Sequence, residues 1–175
     1  MNIARTYRLA TLVLILGCTA GCDQTSKYIA RSQLTYLGHL TLPGGFGELR
    51  LAENRGSFLS LGASLPDHVR LTLLTIGGGM GLLSLFVYLV ISPSRSWMSF
   101  IGLAVVWAGG MSNLIDRIIR QGQVTDFIFI RVGPLHTGIF NAADLMIVIG
   151  IAALFHDMWR RRYRRKSVKA LKDQP

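Results

Sequence analysis

The stretch WMSFIGLAVVWAGGMSNLI, residues 97 to 115, decides the fold class because it contains no charged side chain. A helix needs about 20 mainly apolar residues to cross the hydrocarbon core of a bilayer, so this stretch is long enough to span one. Three further apolar stretches of similar length occupy residues 8–29, 69–91 and 139–158. Hydrophobic residues make up 50% of the chain and charged residues 16%. We therefore predict an all-α integral membrane protein, in which a four-transmembrane-helix bundle forms one domain over residues 1–175.

The first of these stretches contains a sequence that resembles the processing site of a bacterial lipoprotein. Residues 17–30 read GCTAGCDQTSKYIA, where small residues precede Cys22, and Arg5 and Arg8 precede the apolar run as in a secretory signal. A secreted lipoprotein would not carry three more membrane-spanning stretches, so we interpret Cys18 and Cys22 as part of the first transmembrane helix. The alternative is a noncatalytic, lipid-modified membrane protein processed at Cys22, which an intact mass would reveal.

Basic residues predict the orientation of the chain, because Lys and Arg are enriched on the cytoplasmic side of a membrane. Arg5 and Arg8 precede the first span, Arg95 lies in the short turn between the second and third spans, and eight basic residues lie in 160–172. Both termini and that turn are therefore predicted to be cytoplasmic.

The basic tail, residues 160–175, carries most of the net charge of +10, because eight basic residues less Asp173 leave +7 there. Such a run directly after a transmembrane helix favours binding to anionic headgroups of membrane lipids. Since the remainder of the chain has a charge of only +3, the composition does not indicate a nucleic-acid partner.

Residues 31–66 and 118–138 are predicted to lie on the extracytoplasmic side. The first segment holds two alternating runs around a Gly-rich turn, which favours a hairpin or small sheet, a β-rich cradle that rests on the membrane. A plain connecting loop is the alternative. In the second segment, a β-branched and aromatic run at 124–132 ends at Gly133-Pro134, which indicates a short extended or re-entrant piece.

Charged residues near the outer ends of the spans form a pattern. A charge inside a membrane costs about 2.5 to 3.5 kcal/mol, so such residues usually face the bundle interior and pair with one another. Asp23 and Lys27 are four residues apart, share a helix face and are expected to form an ion pair. Asn113 and Asp116 are one turn apart, and the adjacent Arg117 is expected to hold Asp116 ionised in a structural clamp.

Two further acids have no basic neighbour in the sequence. Asp144 follows Asn141 by one turn at the start of the last span, and Asp126 precedes an apolar run at what should be the same membrane depth. Two such carboxyl groups brought together can share one proton, as in aspartic proteases. The same acids would also suit a small ion- or proton-translocating protein. The sequence has no HExxH, GxSxG or Walker motif and no metal-ligand spacing of His residues, so we interpret the His residues as interfacial or packing residues.

Taken in order, five short motifs resemble those of the lipoprotein signal peptidase family, signal peptidase II. They are DQTSK at 23–27, NRG at 54–56, NLIDR at 113–117, VTDF at 124–127 and FNAAD at 140–144. The resemblance covers nearly the whole chain. Phe58, Ser112 and Thr125 depart from the residues usual in that family, which concerns packing beside the motifs.

The resemblance implies a hydrolase of the bacterial cytoplasmic (inner) membrane that acts without metal or cofactor. An aspartic endopeptidase of this kind cleaves a prolipoprotein before its diacylglyceryl-modified cysteine and so removes the signal peptide. The catalytic pair would be Asp126 and Asp144, toward the extracytoplasmic face. The residues that would bind substrate or brace the site are Asp23, Lys27, Asn54, Arg55, Gly56, Asn113, Asp116, Arg117, Val124, Asn141 and Ala143.

Overall fold

The computed structural model describes residues 3–57, 62, 64–92 and 96–172. Its helices are α1 Ile3–Leu37, α2 Asp67–Arg70, α3 Gly78–Ile91, α4 Trp97–Ile119 and α5 Ala142–Lys172, and a π-helical segment, Leu71–Gly77, joins α2 to α3. Its strands are β1 His39–Thr41, β2 Gly47–Asn54, β3 Val124–Val132 and β4 Leu135–His136. The expectations for Phe58 and Arg95 concern positions outside the described residues.

Among the described residues, four helical stretches are long and apolar enough to cross a membrane, which confirms the predicted fold class. They are Arg5–Leu37, Asp67–Ile91, Trp97–Ile119 and Ala142–Arg164. Large apolar side chains such as Val13, Leu83 and Phe155 point away from the bundle and are exposed. A soluble protein rarely exposes so much continuous apolar surface, whereas lipid chains cover it readily. The chain is therefore a multi-pass membrane protein.

The helix ends differ from the stretches expected from hydropathy. Helix α1 continues to Leu37, into the segment predicted to lie outside the bilayer. Helix α5 begins at Ala142 rather than at residue 139, because Phe140 pairs with Ile128 in an antiparallel bridge. Hydropathy measures which residues prefer lipid, and it does not detect where backbone groups find partners outside a helix.

Helix α4 lies at the centre of the bundle and packs against α1, α3 and α5. Its indole at Trp107 stacks on Phe86 and donates a hydrogen bond to the carbonyl oxygen of Leu82 at 3.1 Å, which joins α4 to α3. The buried apolar core at this level consists of Leu12, Leu89, Phe100, Ala104, Trp107 and Ala108. Because α4 touches every other spanning helix, its polar residues can reach partners on each of them.

The four strands form one antiparallel sheet in the order β1-β2-β3-β4. Strands β1 and β2 confirm the hairpin or small sheet predicted for residues 31–66. The sheet packs on the end of α1, where Ala30 and Leu34 meet Phe127 of β3. Pairing of β2 with β3 sets Asn54 opposite Val124 and Ala52 opposite Asp126. We call this end of the bundle, where α1 and α4 finish and α5 starts, the sheet end.

Helices α4 and α5 approach each other closely at glycines. A methyl group at Gly150 would lie 2.6 Å from the carbonyl oxygen of Gly102, and one at Gly109 would lie 2.8 Å from that of Ala143. Small residues allow such backbone contact between membrane helices. The contact matters for the site because it fixes the position of the first turn of α5 against α4.

Replacement of Gly150 by Ala is expected to lower the free energy of unfolding by about 1 to 3 kcal/mol, because the added carbon collides with the backbone of α4. The matched control is Gly81→Ala, since Gly81 lies in a helix with nothing within 4 Å of the added carbon. That change should leave stability unchanged or raise it by about 1 kcal/mol through helix propensity. Thermal unfolding in detergent measures both, and equal shifts would contradict the close packing.

Candidate active site

A fully buried cation, Lys27, lies at the sheet end between α1 and α4. Its ammonium nitrogen is 2.6 Å from Oδ2 of Asp23 and 3.0 Å from Oδ2 of Asp116. It also donates a hydrogen bond of 3.0 Å to Oδ1 of Asn113. The ion pair expected from the four-residue spacing of Asp23 and Lys27 is present, and a second carboxylate from another helix completes it.

The expected clamp between Asp116 and Arg117 does not form within the described residues. Neighbouring residues on a helix point about 100° apart, so they cannot face each other. Asp116 instead pairs with Lys27 and accepts a hydrogen bond from the backbone N–H of Thr125. Arg117 points elsewhere and donates to the carbonyl oxygen of Gly56 at 3.1 Å, so it joins α4 to the loop that follows β2.

The amide of Asn113 links Lys27 to Asp144. Because Oδ1 of Asn113 accepts from the ammonium group, its Nδ2 is directed to the other side and donates to Oδ1 of Asp144 at 2.9 Å. An amide has distinct donor and acceptor ends, and a cation at one end fixes which end faces the carboxyl group. Lys27 therefore sets the orientation of a hydrogen bond to an acid that it does not touch itself.

Asn141 and Asp144 form a reciprocal cap at the start of α5. Oδ1 of Asn141 accepts from the backbone N–H of Asp144 at 2.9 Å, and Oδ2 of Asp144 accepts from the backbone N–H of Asn141 at 3.3 Å. This is the geometry of a capping box, which satisfies two free N–H groups at a helix start. The spacing of three residues between these two side chains thus has a structural cause.

Asn141 also brings the second acid into the site. Its Nδ2 donates to Oδ1 of Asp126 at 2.6 Å, so the same amide contacts the carboxyl group of Asp126 and the backbone N–H of Asp144. The other oxygen of Asp126 accepts from Nδ2 of Asn54 at 2.9 Å, and Oδ1 of Asn54 accepts from the N–H of Gly56. Asp126 and Asp144 are 1% and 6% exposed, so the protein supplies most of their polar contacts.

Burial raises the pKa of Asp126 to about 6, since desolvation disfavours the carboxylate. The hydrogen bond from Asn54 opposes this shift in pKa, and the negative charge of Asp144 adds to it. Asp126 lies on β3, outside the spanning helices. Within the described residues, no group of three or more His, Cys, Asp or Glu side chains is arranged to hold a metal ion.

The two acids open into a cavity of about 480 Å³ between α3, α4 and α5. Its polar end holds Asn54, Asn113, Arg117, Asp126 and Asp144, beside the buried Val124. Its remaining wall is apolar and includes Leu82, Ile147 and Ile151. A cavity with carboxyl groups at one end and a long apolar wall suits a ligand that has a polar group attached to an apolar segment.

The remaining sequence-predicted residues lie around this arrangement or apart from it. The backbone N–H of Ala143 donates to Oδ1 of Asp23 at 2.8 Å, which ties the start of α5 to α1. Arg55, in contrast, is exposed and lines a different cavity. Sequence reasoning gave no role to Gln24 or Ser112, yet Gln24 donates to Asp116 and the hydroxyl of Ser112 donates to Asp23. Both are uncharged, and the sequence signals for them were the DQTSK motif, which contains Gln24, and the departure at Ser112 from the residue usual in the family.

Fold and site together define a membrane protein in which two buried carboxyl groups line a cavity at one end of a four-helix bundle. Residues 14–160 match the family model described as signal peptidase (SPase) II. A lipoprotein signal peptidase of Syntrophus aciditrophicus (strain SB) is 35% identical over 87% of this chain and 91% of its own length. One of Chlorobaculum parvum is 36% identical over 86% and 94%, respectively. The chain belongs to the signal peptidase II family, which makes it a peptidase.

A solved structure described as a bacterial membrane enzyme has the same fold. It superposes with a TM-score of 0.71 over 86% of this chain and 88% of its own, at 22% sequence identity. A second structure of that description, covering 85% of this chain, gives the same TM-score. This likeness concerns the fold of the four-helix bundle and its sheet.

Replacement of Lys27 by Met is expected to lower the free energy of unfolding by about 3 to 5 kcal/mol, because it leaves Asp23 and Asp116 buried without their cation. The control is Arg120→Gln, which removes an ion pair with Glu53 whose side chains are 29% and 33% exposed. That pair should contribute less than about 1 kcal/mol. Chemical or thermal unfolding in detergent distinguishes the two, and similar losses would contradict the role of the buried cation.

The raised pKa of Asp126 predicts a pH-dependent difference between wild type and Asp126→Asn. The folded protein keeps the Asp126 proton up to about pH 6, whereas the unfolded chain loses it near pH 4, so this contribution to stability falls as pH rises through 4 to 6. Relative to the variant, wild type should lose up to about 3 kcal/mol between pH 4 and pH 7. Unfolding measured at several pH values tests this, and a constant difference would refute it.

Proposed function

We propose that this protein is an aspartic endopeptidase that removes the signal peptide from prolipoproteins. The curated relatives are named lipoprotein signal peptidases, which supports the substrate class. The observation that carries the mechanism is the pair Asp126 and Asp144, two buried carboxyl groups at the polar end of a cavity, which accept hydrogen bonds from the side-chain amides of Asn54, Asn113 and Asn141. Two carboxyl groups in such a position favour a state in which they share one proton.

In the proposed reaction, the ionised carboxyl group takes a proton from water while the water oxygen bonds to the carbonyl carbon before the modified cysteine. The protonated partner donates its proton to the carbonyl oxygen, so the oxygen does not carry a full charge. The first carboxyl group then gives its proton to the cysteine nitrogen as the C–N bond breaks, and the diol returns its proton to the partner. The products are a signal peptide with a carboxyl terminus and a lipoprotein with a free amino terminus, and the dyad is restored.

The polar residues around Asp126 and Asp144 have different roles in this proposal. Asn54, Asn113 and Asn141 donate hydrogen bonds to the carboxyl groups and hold them in place before substrate arrives. The Nε of Arg117 is buried and has no acceptor among the described residues, although the side chain lines the cavity. In this proposal it donates to a carbonyl oxygen of the substrate backbone near the bond that breaks.

The apolar wall of the cavity determines which way the signal peptide lies along the spanning helices. Leu82 of α3 and Ile147 and Ile151 of α5 form a wall along the spanning helices, away from the sheet end. In this proposal, the apolar part of the signal peptide and the diacylglyceryl group lie against lipid and this wall. The sheet end then faces the outside of the bacterial cytoplasmic membrane, the termini face the cytoplasm, and the basic end of α5 contacts anionic lipid headgroups.

Asp126→Asn and Asp144→Asn are each expected to lower the cleavage rate of a diacylglyceryl-modified prolipoprotein by at least about 1,000-fold, because each removes one half of the proton exchange. The matched control is Glu48→Gln, which makes the same carboxyl-to-amide change on strand β2 at the sheet end. This control should cleave at close to the wild-type rate. Loss of the signal peptide from purified substrate, followed on a gel, measures all three.

Folding of each variant is checked by its thermal unfolding in the same detergent. A folded Asp126→Asn or Asp144→Asn variant that cleaves as fast as wild type would overturn the proposed pair. If wild type itself failed to cleave, and instead conducted protons in vesicles, ion translocation would replace peptidase chemistry as the function.

A further inference from the structure

A second cavity, of about 300 Å³, opens beside the candidate active site at the sheet end. The residues that line it are Arg55, Asp67, His68, Arg70, Leu71, Gln121, Gly122 and Gln123. They come from the loop after β2, from α2 and its junction with the π-helical segment, and from the turn before β3. Within the part of the chain that the structure describes, none of these residues forms a hydrogen bond with the carboxyl group of Asp126 or Asp144.

The second cavity adjoins the cavity of the two acids, because three chain segments line both. Asn54 lines the first and Arg55 the second, Val124 lines the first and Gln123 the second, and Leu73 lines the first while Leu71 lines the second. Adjacent α-carbons are about 3.8 Å apart, so each segment passes from one cavity to the other within one or two residues. The two cavities are therefore separated by no more than a few residues' length of an extended peptide.

The charge of the second cavity is positive. Arg70 is paired with the carboxylate of Asp67 at 2.5 Å, so these two charges offset each other. Arg55 is exposed, and none of the described residues accepts a hydrogen bond or forms an ion pair with its guanidinium group. Gln121 and Gln123 add amide groups that can donate.

The backbone on both sides of Arg55 is fixed although its side chain is not. Asn54 is held by its bond to Asp126, and the carbonyl oxygen of Gly56 accepts from Arg117. Arg55 thus extends its guanidinium group from a fixed backbone position beside the site where cleavage is proposed. A planar guanidinium group with several N–H donors is well suited to bind a carboxylate.

We propose that the second cavity binds acidic side chains of the lipoprotein segment that follows the modified cysteine. This inference rests on the proposed function, which directs the apolar signal peptide along the spanning helices. The residues after the cysteine then leave the two acids on the opposite side, toward the sheet end, where the second cavity opens. The cavity therefore makes the enzyme selective among prolipoproteins by the charge of the mature segment.

The test compares two synthetic diacylglyceryl lipopeptides that differ only at the second and third residues after the cysteine. One carries Asp at both positions and the other carries Asn, which has nearly the same shape without the charge. With the full chain in nanodiscs of zwitterionic lipid, kcat/KM for the Asp substrate should exceed that for the Asn substrate by about fivefold. The preference should decrease with added salt, as expected for a partly exposed ion pair.

Two variants locate the source of the preference. In Arg55→Gln the ratio of the two kcat/KM values should fall to about one, whatever the absolute rates. The control is Arg131→Gln, which removes an exposed cation from strand β3 that does not line the second cavity. This control should keep the wild-type ratio. A ratio unchanged by Arg55→Gln, or lowered equally by both variants, would overturn the inference.

A further experiment, in which anionic lipid is added to the nanodiscs, distinguishes binding of the peptide from binding of a lipid headgroup. If the cavity instead holds the phosphate of an anionic lipid, adding such lipid to the nanodiscs would abolish the Asp preference of wild type, and this outcome would overturn the inference. A wild-type protein that cleaves the Asn substrate without any preference for Asp would do the same while leaving the proposed function intact. Failure to cleave either substrate would overturn the proposed function itself.

Discussion

The sheet end of the bundle depends on one buried ammonium group. Lys27 has no exposed side-chain surface, and a lone charge at such a position would destabilise the fold severely. Carboxylates on α1 and α4 neutralise it, and the amide of Asn113 carries its influence to Asp144 on α5. Three helices are thereby held at one rotation and one depth, because each contributes a polar group that must meet this cation or its partners.

The need for polar groups on different helices to meet Lys27 or its partners explains how much of the site the sequence could predict. A pair within one helix follows from spacing alone, and the contact of Asp23 with Lys27 was predicted in this way. A pair between helices depends on their relative rotation and depth, which spacing does not contain. For this reason the partnership of Lys27 with Asp116 was missed, and adjacency in the sequence wrongly suggested Arg117 as the partner of Asp116.

For the sheet, too, the sequence predicted the strands but not how they pair. Alternation of apolar residues predicted strands in the segment after α1, and the β-branched run at 124–132 indicated an extended piece. The pairing register of β2 with β3 shifts between Leu49 and Ala52. No local pattern in the sequence predicts that shift. Yet this register is what brings Asn54 within hydrogen-bonding distance of Asp126. Fold class follows from composition, whereas the site requires the tertiary structure.

The reciprocal cap at the start of α5 has a consequence for how this protein can evolve. Asn141 and Asp144 begin the helix by satisfying each other's backbone N–H groups. In addition, the side chain of Asn141 contacts Asp126, and Asp144 is itself one of the two proposed catalytic acids. Ser in place of Asn141 would still cap the helix but would have no amide to offer Asp126. Selection for a well-formed helix and selection for chemistry therefore act on the same two codons, and neither codon can drift to satisfy one demand alone.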